Sequence, residues 1–374
     1  MNRMNVAVLG LGVMGGSHAA AVKESPYVDK IFGYEPDDSR RMARCAELGI
    51  VPASLESIME DSAIQLVYIS SPNDSHLSLA SAALRNRKAV MYEKPMGTSL
   101  PEAAELVRVA DETGGFLQIG FEARYSRLYQ TAKAWIDEGL IGDVVNIQCR
   151  YYCCEFHKKD TWRSESTGSF LIGEKLSHFL DLQRWWFADS PESIYSAAAP
   201  KVVPYFGHRD NHQMILKFPG GRVGTLNFIM YIAETLHRDP LIDVLEKQGD
   251  DGHYLQHHIC GMKGAIETDV FKRRIRRWQF SDGPTCLESK IVETLTFPAS
   301  DDLEYFHNTR GQNLRVAELV ALGLPSEMPA LDAFETMKLC FAAERSEDEN
   351  RVVALDEYRN DEAISSLGRT ESNS

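Results

Sequence analysis

Short apolar runs alternate with segments of helical period through about residue 122 of this 374-residue chain. Residues 6–9, 30–34, 66–70, 89–92 and 116–120 are compact apolar runs bounded by turn formers, which predicts buried strands. Segments 75–85 and 101–112 between them carry apolar positions at helical spacing. Strand–helix alternation of this kind predicts an α/β, doubly wound parallel sheet with helices on both faces.

The texture changes after Arg124. A helix is predicted over 128–138 and a strand over 144–152, with Gly139, Gly142 and Asp143 between them. A second helix follows over 174–186. Alternating stretches at 193–198, 212–218, 223–230, 255–260, 265–270 and 272–280 then read as strands in series, with a hairpin turn at Gly220-Gly221. Strands without intervening helices predict a C-terminal α+β domain with a large open, mostly antiparallel sheet. A last helix over 330–345 precedes a short strand over 351–355. The expected division is 1–123, a nucleotide domain; 124–356, a substrate and oligomerisation domain; and 357–374, a polar tail expected to be poorly ordered.

Composition narrows the partners. A net charge of −14 argues against nucleic acid, which would require a basic surface. No apolar stretch approaches the roughly 20 residues a membrane helix needs, and no leader pattern precedes the first strand, so a cytoplasmic protein without membrane contact is expected. Seven cysteines without a C-x-x-C spacing read as reduced, mostly buried thiols.

The first strand runs into Gly10-Leu11-Gly12-Val13-Met14-Gly15 and then a helical segment. This is a dinucleotide-binding fingerprint in the right context. Gly10 allows the tight turn, Gly12 the approach of a pyrophosphate, and Gly15 close helix packing. The second strand ends at Glu35, about 20 residues on, where a carboxylate accepts ribose hydroxyls of NAD and repels the 2′-phosphate of NADP. NAD is therefore the expected cofactor. Arg40 and Arg41 follow closely and keep NADP as the less favoured alternative.

Two loops leave the same expected sheet edge. Ser71, Pro72, Asn73 and His76 follow the third strand, placed to touch the nicotinamide half. They are also ordinary turn formers, and Asp74 or Ser75 is expected to cap the next helix. Glu93-Lys94-Pro95 follows the fourth strand. A lysine there can hydrogen-bond a reacting oxygen and stabilise its developing charge.

Further along, Glu174, His178 and Asp181 have spacings of four and three, which one helical face would carry. A histidine between carboxylates suits a general base; the plainer reading is a buried histidine satisfied by Asp181. Lys175 lies one step round that helix. No second helical histidine completes a zinc motif, so no metal is expected. His253, His257 and His258 read as loop and strand histidines, and the basic run 272–278 as a solvated strand face.

Together these motifs resemble the Gfo/Idh/MocA family, named for glucose–fructose oxidoreductase and inositol dehydrogenase. They are Gly10–Gly15 with His18, the Pro72/His76 loop, Glu93-Lys94-Pro95, His178 with Asp181, and Gly261-Met262-Lys263-Gly264. The resemblance implies a Rossmann domain, a second domain with a broad sheet that carries dimer or tetramer contacts, and a nicotinamide cofactor. It also implies a sugar, cyclic polyol or related carbonyl as substrate. Carried to matching positions, it makes Lys94 the catalytic lysine and His178 the acid/base. Glu174 and Asp181 would orient that ring or bind hydroxyls. Arg124, Trp162, Arg163 and Lys175 are candidates for the substrate wall. The chain departs from the family pattern at Glu174, where an aspartate is usual, and at Phe170 and Leu176, where glycines are usual. A redox-neutral enzyme of the same fold that needs NAD without accumulating NADH is the alternative. A non-catalytic NAD sensor ranks last, since Lys94 and His178 are both present.

Overall fold

The computed structural model describes residues 3–154, 159, 172–234 and 251–358. The chain divides into two compact units. The first holds Met1–Glu122 and Thr309–Met337; the second holds Ala123–Asn308 and Lys338–Tyr358.

The first unit is built on strands β1 (Met4–Leu9), β2 (Val28–Tyr34), β3 (Val51–Pro52), β4 (Ile64–Ile69), β5 (Ala89–Tyr92) and β6 (Leu117–Ile119). Their order is β3-β2-β1-β4-β5-β6, and every neighbouring pair is parallel. Val6, Val8, Leu66, Tyr68 and Met91 are fully buried, as a sheet covered on both faces requires, which is why these strands read as continuous apolar runs. The order reverses between β1 and β4, the switch point at which such sheets bind ligands. Helices α1 (Val13–Val22), α2 (Asp38–Leu48), α3 (Leu55–Glu60), α4 (Asn73–Arg85) and α5 (Leu100–Thr113) connect the strands. Asp37 caps α2 by accepting the Arg40 N–H at 2.7 Å, and Gly49 ends that helix at φ 59°.

One segment sits differently from the sequence-based division. The helix Thr309–Ala321 belongs to the first unit, not to the second. Its Val316 and Ala317 join the apolar cluster of Val6, Val8, Ala19 and Val22. Its Asn313 meets His18 Nδ1 at 3.1 Å and accepts the Tyr68 hydroxyl on its carbonyl at 3.1 Å. The cover for α1 thus comes from a helix almost 300 residues away, beyond the reach of local pattern.

The second unit carries a nine-stranded sheet. Its strands are β7 (Val144–Cys153), β8 (Ser193–Ala198), β9 (Asn211–Lys217), β10 (Val223–Met230), β11 (Tyr254–Gly261), β12 (Gly264–Asp269), β13 (Arg274–Asp282), β14 (Leu287–Thr296) and β15 (Val353–Ala354). The order is β14-β13-β12-β11-β7-β10-β9-β8-β15, and only the β7–β10 pair is parallel. Gly220 and Gly221, at φ 73° and 78°, turn β9 into β10 as expected. Strand β14 escaped the sequence reading because it is an edge strand with Leu287, Ile291 and Leu295 exposed, so no buried face imprints an alternation.

Helices α6 (Arg127–Asp137) and α7 (Ser177–Phe187) pack on this sheet. The helix expected over 174–186 is two pieces: a π-helical turn, Ile172–Leu176, and then α7. Tyr151, Phe179 and Phe228 stack edge-on at 5.2 Å in the core. His257 is fully buried among Tyr129 and Trp186, with ring centroids at 5.3 and 5.0 Å, and its Nδ1 lies 3.2 Å from the Thr268 hydroxyl. Burial pushes its pKa down to about 3. His253 pairs with Asp251 and accepts the Cys154 N–H, and His258 sits beside Glu267. The run 272–278 is only partly solvated: Arg274 and Arg276 both bind Glu267, and Arg277 binds Glu293. None of the seven cysteines is in a disulfide, and Cys45, Cys149, Cys153, Cys154 and Cys340 are buried. Of the expected tail, Leu355–Tyr358 forms a 3₁₀ turn, and residues 359–374 lie outside the described residues.

Candidate active site

The glycine loop between β1 and α1 has the stereochemistry of a pyrophosphate cradle. Gly10 has φ +89°, and a Cβ there would stand 2.6 Å from the Ser71 backbone. A Cβ on Gly15 would stand 1.9 Å from the Gly10 carbonyl oxygen. At Gly12, the N-cap of α1, a Cβ would meet nothing within 4 Å, so the space is open. The cap makes no side-chain hydrogen bond to the helix. First-turn N–H groups thus remain for an anion at the positive end of the helix dipole. Val13 is exposed and Met14 half-buried at the same turn. These residues fit a dinucleotide.

Glu35 closes the cradle from the end of β2. Its Oε2 accepts the Leu11 N–H at 2.8 Å, tying the carboxylate to the glycine loop. Arg40 Nε lies 3.5 Å from Oε1, Arg41 donates to the Glu35 carbonyl at 3.0 Å, and Arg44 donates to the Leu11 carbonyl at 2.9 Å. Arg40 thus faces the carboxylate itself, while Arg41 and Arg44 bind backbone carbonyls of Glu35 and of the glycine loop.

The loops after β4 and β5 leave the same edge, because the two strands are parallel neighbours. Helix α4 starts at Asn73 with Pro72 at the N-cap. This corrects the expectation that Asp74 or Ser75 caps it: the Ser75 hydroxyl turns back to the Ser71 hydroxyl and the Pro72 carbonyl. His76 Nε2 lies 2.6 Å from the Ser71 carbonyl, and its ring packs edge-on to Tyr92 at 5.1 Å. His76 therefore braces the loop. Glu93 is buried against His18, Oε1 to Nε2 at 3.1 Å, and Lys94 follows half-buried, with a cis peptide to Pro95. His18 thus links α1 to the Glu93-Lys94 segment. Asn313 and Tyr68 complete that group, and the sequence carried no signal for them.

In the second unit, His178 is buried in the first turn of α7, with its ring edge-on to His307 at 5.7 Å. Asp181 is fully buried one turn later and makes a two-point ion pair with Arg124, both distances 2.7 Å. Arg124 also lies over the Trp185 ring at 5.8 Å. Asp181 and Arg124, expected as the histidine's orienter and as part of the substrate wall, are thus held to each other by this ion pair. Glu174 is buried within the π-turn. Lys175 points its Nζ at Cys153 Sγ, 3.6 Å away, and over the Tyr151 and Phe228 rings at 5.0 and 5.3 Å. Trp162 and Arg163 lie outside the described residues.

Comparison with known proteins agrees with this geometry. Residues 4–121 match a family model described as "Oxidoreductase family, NAD-binding Rossmann fold", and residues 129–267 match the GFO/IDH/MocA C-terminal domain. The chain belongs to the Gfo/Idh/MocA oxidoreductase family. Its nucleotide domain is of the family's NAD-binding type. The chain is 24% identical to the scyllo-inositol 2-dehydrogenase (NADP(+)) IolW of Bacillus subtilis (strain 168), over 95% of this chain and 98% of that one. It is 25% identical to the 2,7-anhydro-N-acetylneuraminate hydratase of Escherichia coli (strain K12), over 71% of this chain and 68% of that one. Among solved structures it shares its fold with a levoglucosan dehydrogenase in complex with NADH and levoglucosan. The TM-score is 0.78 at 18% identity, over 95% of this chain and 100% of that one. Among the described residues, no helix of this Gfo/Idh/MocA member is long and apolar enough to cross a membrane.

Proposed function

We propose that this chain is an NAD-dependent dehydrogenase acting on a secondary alcohol of a sugar or cyclic polyol. The observation that carries this reading is the glycine cradle closed by Glu35, with Lys94 on a loop at the same sheet edge. The named activities of the inositol and levoglucosan dehydrogenase relatives support the substrate class.

Bound NAD would supply the hydride acceptor. Gly10, Gly12, Val13, Met14 and Gly15 would hold its pyrophosphate, Glu35 its ribose, and Ser71, Pro72 and Asn73 would flank its nicotinamide end. Lys94 donates a hydrogen bond to the substrate oxygen and steadies the negative charge that grows there as the C–H electron pair departs. His178 takes the hydroxyl proton, so the products are a ketone, a reduced cofactor and one proton held by the protein. Asp181 and Arg124 act as positioning residues through α7, and Glu174 fixes the turn ahead of His178. We place the protein in the cytoplasm as a homodimer or homotetramer. The exposed Leu287, Ile291 and Leu295 of β14 support an assembly through the sheet, which sedimentation would check.

The test is incubation with NAD, and separately NADP, across sugars, inositols and glycosides, following absorbance of reduced nicotinamide and the carbohydrate together. NADH should form with one substrate. Lys94→Ala should lower turnover about 100-fold while leaving NAD affinity nearly unchanged; unchanged turnover would remove Lys94 from the mechanism. The hydratase relative favours a second reading, transient oxidation followed by elimination or hydrolysis. Carbohydrate conversion that requires NAD and accumulates no NADH would decide for it.

A further inference from the structure

The second unit contains a cavity of about 450 Å³ that the mechanism above does not use. This lies within the roughly 300–1,000 Å³ of small-molecule sites. Among the described residues its wall includes Lys201, His208 and Arg209 from the β8–β9 connection, His212 from β9, and Glu344 and Glu347 near the end of the helix Ala330–Glu349. Ile172, the first residue of the turn that leads into His178, also lines it, and the Glu174 carboxylate in that turn acts electrostatically on His208.

The full charges in this wall balance in number, Arg209 and Lys201 against Glu347 and Asp348. Arg209 binds Glu347 at 3.3 Å and Asp348 at 2.6 Å. Glu347 also accepts the Ser196 hydroxyl at 2.6 Å and pairs with His212 Nδ1 at 2.8 Å. Lys201 donates to the Phe206 carbonyl. Polar atoms without a partner remain beside them. His212 is 2% exposed, and its Nε2 has no partner among the described residues. Neither ring nitrogen of His208 has one, and the ring is stacked on Phe206 at 4.4 Å. Burial pushes His208 down to about 4, so at neutral pH it offers one donor and one acceptor. Burial, with Glu347 and Asp348 nearby, pushes Glu344 up to about 8, so its carboxyl keeps a proton to donate. An anion would face Glu347 and Asp348, and a cation would have to displace the Glu344 proton. A hydroxyl group, donor and acceptor at once, suits every free atom, and buried polar atoms left unmet are costly.

We propose that this cavity binds a second, uncharged sugar or polyol ring joined to the one that is oxidised, so that the preferred substrate is a neutral disaccharide or glycoside. The inference rests on the dehydrogenase reading for the first ring. Its own test is binding. Maltose, cellobiose and trehalose would be titrated calorimetrically into the NAD-loaded full chain beside glucose and myo-inositol, using wild type, His208→Ala and Glu344→Gln. At least one disaccharide should bind about ten-fold tighter than the single rings, and both variants should lose that advantage while melting close to wild type. Equal affinity for single and double rings, or an advantage that survives both substitutions, would overturn the proposal. The two readings separate cleanly. Disaccharide binding without NADH formation retires the dehydrogenase and keeps the cavity. Lys94-dependent oxidation of free rings with no disaccharide preference does the reverse.

Discussion

Arg124 and Asp181 meet through two hydrogen bonds of 2.7 Å, Nε to Oδ2 and Nη2 to Oδ1, with the carboxylate fully buried. A bidentate pair of this kind fixes both direction and distance. It ties α7 to Arg124 three residues after His178. Removing one partner of a buried pair leaves the other charge without compensation, at a cost of about 3–5 kcal/mol. Arg124→Met and Asp181→Leu should each lose that much in denaturant unfolding, and the double variant should recover most of it. Each single variant should also lower kcat while NAD affinity holds. Single variants within about 1 kcal/mol of wild type would show that the pair does not anchor the helix.

Gly12 and Gly15 stand in opposite relations to their surroundings, although both are glycines of one motif. A Cβ at 15 collides with the Gly10 backbone, which cannot yield; a Cβ at 12 points into open space. Gly15→Ala should therefore destabilise the first unit itself. Gly12→Ala should fold normally and lose about ten-fold or more in NADH affinity, because the methyl group occupies the path of the pyrophosphate. Fluorescence titration with NADH, paired with thermal melts, reads both effects. Full affinity in Gly12→Ala would mean that the dinucleotide does not lie over this loop.

Glu35 holds the glycine loop and faces Arg40, so one substitution should change cofactor choice. Glu35→Ser removes the carboxylate that repels a 2′-phosphate and leaves Arg40 without its carboxylate partner and able to bind one. The ratio of kcat/KM for NADP over NAD should rise about ten-fold or more. A ratio that stays put would place the adenosine ribose elsewhere.

What the sequence disclosed follows from which interactions are local. Strands β1, β4, β5 and β6 were readable because both faces are buried, β2 by its buried Ile31 and Gly33, and the glycine loop because its spacing falls between a strand and a helix. Lys94 could be placed by counting to a strand end. The partners of α1 could not: His18 finds Asn313 across 295 positions, and no periodicity records that distance. The 174–186 segment looked like one helix because a π-turn changes the residue count per turn without changing composition, so the stripe drawn through Glu174, His178 and Asp181 was too regular. The sequence shows the charge of Arg124 but not its ion pair with Asp181, 57 positions on. Strand β14, exposed at the sheet edge, had no buried side to announce it.

His257 makes a prediction about acid that is independent of catalysis. Tyr129 from α6, Phe179 and Trp186 from α7, and Thr268 from β12 surround it, with His258 beside it on β11. Burial, with His258 adding to it, holds its folded pKa at about 3, against roughly 6.5 in an unfolded chain. Above pH 6.5 the ring is neutral in both states and costs nothing. Between 6.5 and 3 the unfolded chain takes up a proton that the folded chain refuses, so stability falls with pH by as much as about 1.4 kcal/mol per unit. His208, held at about 4, acts with the same sign. Glu267, held at about 2 because its bonds to His258 and Arg276 outweigh burial, contributes only below its unfolded value near 4.5. Glu344, held at about 8 against 4.5 unfolded, keeps a proton across the window from 6.5 to 4.5 that the unfolded chain lacks, so it offsets one of these two histidines and leaves a net fall. Urea unfolding across that window should show stability falling with pH, and His257→Leu should remove about one proton's worth of the slope. A slope that His257→Leu leaves unchanged would mean that the ring takes up its proton within the fold.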